Sequence, residues 1–189
     1  MCKIVYLTSR RFDSYSREFK EALAEELKSR NIEVVVKYSN DFLNFRRKHK
    51  TYGMAIAFDF YRDKKKGSGI TLNENCSLIG RDFAYNLSSN LDKFSPQLFW
   101  RELKFVKSDD KEWYRFFNKI SSTTKAIFYL TTINNLCELE NYKVNFDDFI
   151  KIFADEIVRC LRSDYDREKY YKRVKLLKIQ QNKKRTNYE

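Results

Sequence analysis

Histidine is the side chain that most often carries protons or holds zinc near neutral pH, and this chain of 189 residues has one, His49. It stands in the run Arg46-Arg47-Lys48-His49-Lys50. Four neighbouring cations repel a metal ion, so His49 is no candidate ligand. The four cysteines, Cys2, Cys76, Cys137 and Cys160, lie far apart and form no C-x-x-C pair, which excludes a zinc finger. Cys–His catalysis would need His49 beside Cys76, which the pattern places at the opening of a helix; nothing in the sequence joins them, and a structural cysteine is the simpler reading. Gly67-Ser68-Gly69 follows three lysines but lacks the spacing of a phosphate-binding loop. Asp109-Asp110 reads as a turn, and Asp147-Asp148 as first-turn acids at the positive end of a helix.

The bulk charge says more about partners than about chemistry. Thirty-eight Lys and Arg stand against 26 Asp and Glu, a net charge of +12. Such a surplus suits nucleic acid, an anionic membrane face or an acidic protein. AT-rich coding, which enriches Lys, Asn, Phe, Tyr and Ile together, would produce the same number without any partner. The basic groups form a set: Arg10-Arg11, Arg46-Arg47-Lys48, Lys64-Lys65-Lys66 and the tail after Ser163. Met1 to Leu7 is too short for a secretory apolar region, and no run is long enough to span a membrane. The expectation is a soluble, cytoplasmic protein with free thiols.

These groups must be positioned by the elements that the hydropathy pattern outlines. Ile4 to Thr8 is a short β-branched run that suits a central strand. From Ser14 to Arg30, Phe19, Ala22, Leu23, Glu26 and Leu27 repeat at helical spacing, with Asp13 or Ser14 as N-cap and Asn31 as the stop. Strands are expected at Ile32 to Tyr38, Met54 to Phe60, Ile70 to Leu72 and Lys125 to Thr131. Helices are expected at Asp41 to Lys48, Cys76 to Leu91 and from Asn145 onward. Residues 92–119 mix short elements with loops. Alternating strands and helices predict an α/β fold, a mostly parallel central sheet flanked by helices. One domain spans residues 1–162, and a basic helical tail covers 163–189. With 16 Phe and 13 Tyr, the core should be rich in rings.

Three blocks, taken in order, resemble the zinc-dependent N-acetylmuramoyl-L-alanine amidases, in particular the catalytic domains of phage endolysins. The first is Lys3-Ile4-Val5-Tyr6-Leu7-Thr8 with the helix ending at Leu27 to Val34. The second is Tyr52 to Phe60 with Gly67-Ser68-Gly69-Ile70-Thr71-Leu72. The third is Lys125-Ala126-Ile127-Phe128-Tyr129-Leu130-Thr131 before the final helix. The resemblance implies a site in which two histidines and a glutamate hold zinc and a second glutamate is the general base. Carried onto this chain, the first histidine falls near Arg10 and the glutamate ligand near Phe12 to Ser14, with Asp13 the only carboxylate. The second histidine falls on Asp59 and the general base on Leu130.

The resemblance therefore implies an amidase-like fold without its zinc or any other cofactor, and the expectation is a phage-like, non-catalytic binding or regulatory protein. Arg10 is expected to pair with Asp59 where the metal would sit; a hard-ion site of Asp13, Asp59 and Asp63 is the other reading. Arg10, Arg11, Arg46, Arg47, Lys64, Lys65 and Lys66 are the candidate anion-binding residues. The expected partner is an anionic ligand or a protein, with a nucleic-acid-binding protein and a cryptic wall hydrolase as the alternatives.

Overall fold

The computed structural model describes residues 4–9, 13–37, 52–61, 68–94, 100–106, 114–120, 122–132 and 134–162. Along the chain run β1 (Ile4–Ser9), α1 (Ser14–Ser29), β2 (Glu33–Val36), β3 (Tyr52–Tyr61), β4 (Ser68–Asn73) and α2 (Leu78–Phe94). They are followed by β5 (Trp100–Val106), α3 (Tyr114–Lys119), β6 (Ser122–Thr132), α4 (Leu136–Val144) and α5 (Phe146–Leu161).

The six strands form one sheet in the order β2-β1-β3-β6-β4-β5. β2, β1, β3 and β6 are mutually parallel. β4 runs antiparallel to β6, and β5 runs parallel to β4. The chain thus leaves β3 and re-enters at β4 on the same edge, on either side of the end of β6.

Side-chain alternation explains why the strands are apolar on both faces. Val5, Leu7, Met54, Ile56, Phe58, Phe60, Ala126, Phe128 and Leu130 face a large core with residues of α1, α2, α4 and α5. Tyr6, Ala55, Ala57 and Ile127 face a smaller core with Tyr52 and with Phe116 and Phe117 of α3. The ring-rich core expected from composition lies on the large face. Phe19 meets Phe58 at 5.0 Å and Phe153 at 5.2 Å, and Phe128 meets Phe153 edge-on at 4.5 Å. Each such pair adds about 1 kcal/mol to the burial of its surface.

Helix ends follow their caps. Asp13 Oδ1 accepts from Ser16 N at 2.6 Å and starts α1. Asn31, at φ 63°, takes the left-handed conformation just past the helix, where Asn is tolerated. Between α2 and α5, Arg159 donates to Asp82 of α2 at 2.8 Å and to Glu156 of its own helix. That ion group ties together two of the helices covering the sheet.

The structure corrects several boundaries. The strand expected at Lys125 to Thr131 begins at Ser122, and the one expected at Ile70 to Leu72 spans Ser68–Asn73. Cys76 stands two residues before α2 rather than opening it. α4 was not expected as a separate helix: its buried positions are Glu138, Leu139 and Tyr142, too few for a clear apolar stripe. The short elements expected within 92–119 are the end of α2, β5 and α3. The helix expected over Asp41 to Lys48 and the basic tail lie outside the described residues.

Candidate functional site

In sheets of this kind, ligands gather where parallel strands end. Here β1 ends in Thr8 and Ser9, β3 in Asp59 to Tyr61, and β6 in Leu130 to Thr132. The register Ser9↔Phe58 and Asp59↔Tyr129 brings the three ends together. A shift in register between Asp59 and Tyr61 marks a bulge at that point, a device that re-aims side chains at the ends of strands.

Buried polar side chains collect at this edge. Thr8, Ser9, Asp59, Ser68, Thr131 and Glu138 are all nearly or fully covered. Asp59 Oδ1 accepts from Phe60 N at 2.9 Å. Ser68, at the entry of β4, donates to the carbonyl of Leu130 at 2.6 Å. Thr131 Oγ1 donates to Glu138 Oε2 at 3.4 Å, and Glu138 N donates to Asn135 Oδ1 at 3.3 Å. Glu138 was missed from the sequence. Its signal is the Asn135–Glu138 spacing of a capping box ahead of a helix.

Lys20 is the second residue that sequence reasoning missed. It is 1% exposed and donates to Ser9 Oγ at 2.8 Å and to the carbonyl of Lys37 at 2.9 Å. It ties α1 to the ends of β1 and β2. The clue was spacing: Lys20 falls in the stripe Ser16, Phe19, Leu23, Ala24, Leu27. Burial, opposed by the charges of Asp13 and Glu21, lowers its ammonium from 10.5 to about 8. Between those values the unfolded chain binds more protons than the folded one, so stability rises with pH through that window. The rise is about 3 kcal/mol. Lys20→Met is expected to flatten it, read as the difference between wild-type and variant urea unfolding curves from pH 7 to 10; parallel curves would refute the assignment.

Of the carried-over site positions, Asp13, Asp59 and Leu130 are among the described residues. Asp13, the stand-in for a glutamate ligand, spends a carboxylate oxygen on the cap of α1. Leu130, onto which the resemblance carries the general base, is 4% exposed. With Leu91, Phe128, Tyr142, Phe149 and Phe153 it lines a cavity of only about 10 Å³. Among the described residues no three of His, Cys, Asp and Glu are grouped to share a metal ion. Hydroxyls, a lysine and isolated carboxylates are not a zinc donor set, which calls for imidazole or thiolate groups converging on one point. In the hard-ion reading through Asp13, Asp59 and Asp63, Asp13 Oδ1 is engaged by the helix cap. Arg10, Arg11, Arg46, Arg47, Asp63, Lys64, Lys65 and Lys66 lie outside the described residues.

No protein-family model and no curated protein matches the chain. Solved structures do. The catalytic domain of the CD27L endolysin targeting Clostridia difficile superposes with a TM-score of 0.62 at 16% identity, covering 84% of this chain and 96% of that one. An N-acetylmuramoyl-L-alanine amidase from Clostridium difficile 630 gives 0.58 at 12% identity, covering 87% and 97%. The catalytic domain of CwlV, an amidase from Bacillus (Paenibacillus) polymyxa var. colistinus, gives 0.56 at 11% identity, covering 83% and 94%. The chain has the fold of the catalytic domains of N-acetylmuramoyl-L-alanine amidases.

Proposed function

We propose that this protein binds without hydrolysing: it is a binding or regulatory module on an amidase-like fold, holding an anionic ligand at the edge where β1 and β3 end. The observation that carries the loss of catalysis is the histidine count. One histidine, His49, cannot supply a two-histidine ligand set. The burial of Leu130 among aromatic rings supports the same reading. Arg10 takes over the role of counter-charge to Asp59. It follows directly on Ser9, whose register partner Phe58 directly precedes Asp59.

The anionic ligand is supported by where the charge sits. Over the whole chain 38 Lys and Arg stand against 26 Asp and Glu. Arg10 and Arg11 follow the end of β1, and Arg62, Lys64, Lys65 and Lys66 join the end of β3 to the start of β4. Both connections are anchored at the edge where the resembled enzymes do their chemistry. Arg46 and Arg47 precede β3 and belong to a crossing between the two edges, so they are the weaker candidates. The density of cations makes nucleic acid the first polymer to try.

The test uses the full chain with one equivalent of zinc, offered purified peptidoglycan and a short oligonucleotide at graded salt. The expected result is no amide cleavage, no stoichiometric zinc, and oligonucleotide affinity that falls steeply with salt. Replacing Lys64, Lys65 and Lys66 by Gln should lower the salt slope by about 3. Cleavage abolished by a chelator would overturn the reading in favour of a hydrolase. Salt-insensitive retention of wall fragments, with no oligonucleotide binding, would overturn the anionic ligand.

A further inference from the structure

The opposite edge of the sheet holds a second opening. Where β4 runs into α2 and β6 begins, there is a cavity of about 150 Å³. Asn73, Asn75, Ser77 and Ser122 line it with amides and hydroxyls, Lys125 with an ammonium, and Cys76 and the Phe117 ring complete the wall. Among the described residues that line it, none is acidic. The volume is room for several waters, or for one compact polar group and a small substituent.

Lys125 is the feature that calls for an occupant. It lies in β6, in the middle of the sheet, with Ala55 of β3 as its register partner. Its Nζ donates to the carbonyl of Phe117. Among the described residues no carboxylate pairs with it, and burial alone displaces its ammonium below the usual lysine range. A half-buried cation with no counter-charge among the described residues is unfavourable, and an anion in the cavity would supply one. Two neutral donors stand ready beside it. Ser77 Oγ accepts from Gly80 N at 3.1 Å and meets Thr124 Oγ1 at 3.5 Å, a long contact in which either hydroxyl can donate, so its proton can turn to an occupant. Asn75 is exposed, and its backbone N–H donates to Asn73 Oδ1 at 2.8 Å, which fixes the turn that presents its side-chain amide. At the rim the Arg81 guanidinium reaches the Cys76 thiol and the carbonyl of Glu74, adding a second positive charge.

We propose that this cavity binds the phosphate group of a small molecule, with Lys125 as its charge partner and Asn75 and Ser77 as neutral donors. Lysine is a common point-charge partner for phosphate, and the tetrahedral group can accept from several directions at once. The site is separate from the strand-end edge discussed above and does not depend on the function proposed for it.

The cysteines provide the test. Cys76 lines the cavity, while Cys137 is exposed on α4 and serves as the internal control. Alkylation of each is followed by mass spectrometry on the full chain in inorganic phosphate, or in chloride or acetate of matched ionic strength. Phosphate is expected to slow alkylation of Cys76 by about tenfold and to leave Cys137 unchanged. Chloride and acetate should protect neither. Lys125→Met removes an unpaired charge and should fold; it is expected to lose the protection. Asn75→Asp, at an exposed position, places a carboxylate in the cavity and should lose it as well. Thermal midpoints give a second readout, rising with phosphate in the wild type and not in Lys125→Met. Equal effects on both cysteines, or protection that survives Lys125→Met, would overturn the proposal.

Discussion

Arg159→Ala is expected to lower stability by about 3 kcal/mol at pH 7. Glu156 is buried at 3% side-chain exposure and Asp82 at 8%, and Arg159 serves both. Its side chain is itself 35% exposed, which places the effect at the low end for a broken buried ion group. Even with Arg159 in place, burial outweighs it and holds the Glu156 carboxyl above the usual range. A carboxyl raised in the folded state contributes most below its unfolded value, and that contribution is lost as pH rises through the folded value. Removing the cation raises the folded value further. The deficit of Arg159→Ala should therefore be largest at neutral pH and shrink on acidification towards pH 5. Urea unfolding at the two pH values reads this directly. Glu156→Gln in the Arg159→Ala background should recover part of the loss; a deficit independent of pH would mean that Arg159 acts through packing instead.

Leu130→Glu is the second large effect, and it bears on function. The resemblance read from the sequence places a glutamate at this position, so the substitution tests that reading. In this chain it is expected to cost more than about 4 kcal/mol. The carboxyl would enter a layer of Phe128, Phe153, Tyr142 and Leu91 around a cavity too small to hydrate it. It would stay protonated at neutral pH and gain no amide-cleaving activity, because a glutamate beside a single histidine in the whole chain does not complete a two-histidine zinc site. Leu130→Met keeps volume and polarity and should cost less than about 1.5 kcal/mol. Thermal unfolding of the two variants, with zinc content and peptidoglycan turnover of Leu130→Glu, decides the matter. A well-folded variant that took up zinc would mean that the edge is still an open catalytic cleft.

How far the sequence foretold this depended on what each residue leans on. The stripe Phe19, Leu23, Leu27 and the run Met54 to Phe60 are periodic over long stretches, so α1 and β3 were legible. Asp59 was legible as a carboxylate at the end of a strand, and its burial agrees with that. α4 was not: nine residues bury only three side chains, while Leu136 and Val144 stay exposed. Lys20 and Glu138 were not singled out in the sequence, because periodicity marks a core-facing position without showing which polar partner meets it there. Ser9 and Lys37 receive the Lys20 ammonium from another layer of the fold. The reversed direction of β4 was invisible for the same reason, since strand order is set by packing between distant segments.

The mixed sheet has a consequence for the order of assembly. β4 lies between β6 and β5, and both of these strands follow it in the chain. β4 therefore has no strand to pair with until the later ones are in place, and closure of that side of the sheet waits for contacts between distant segments.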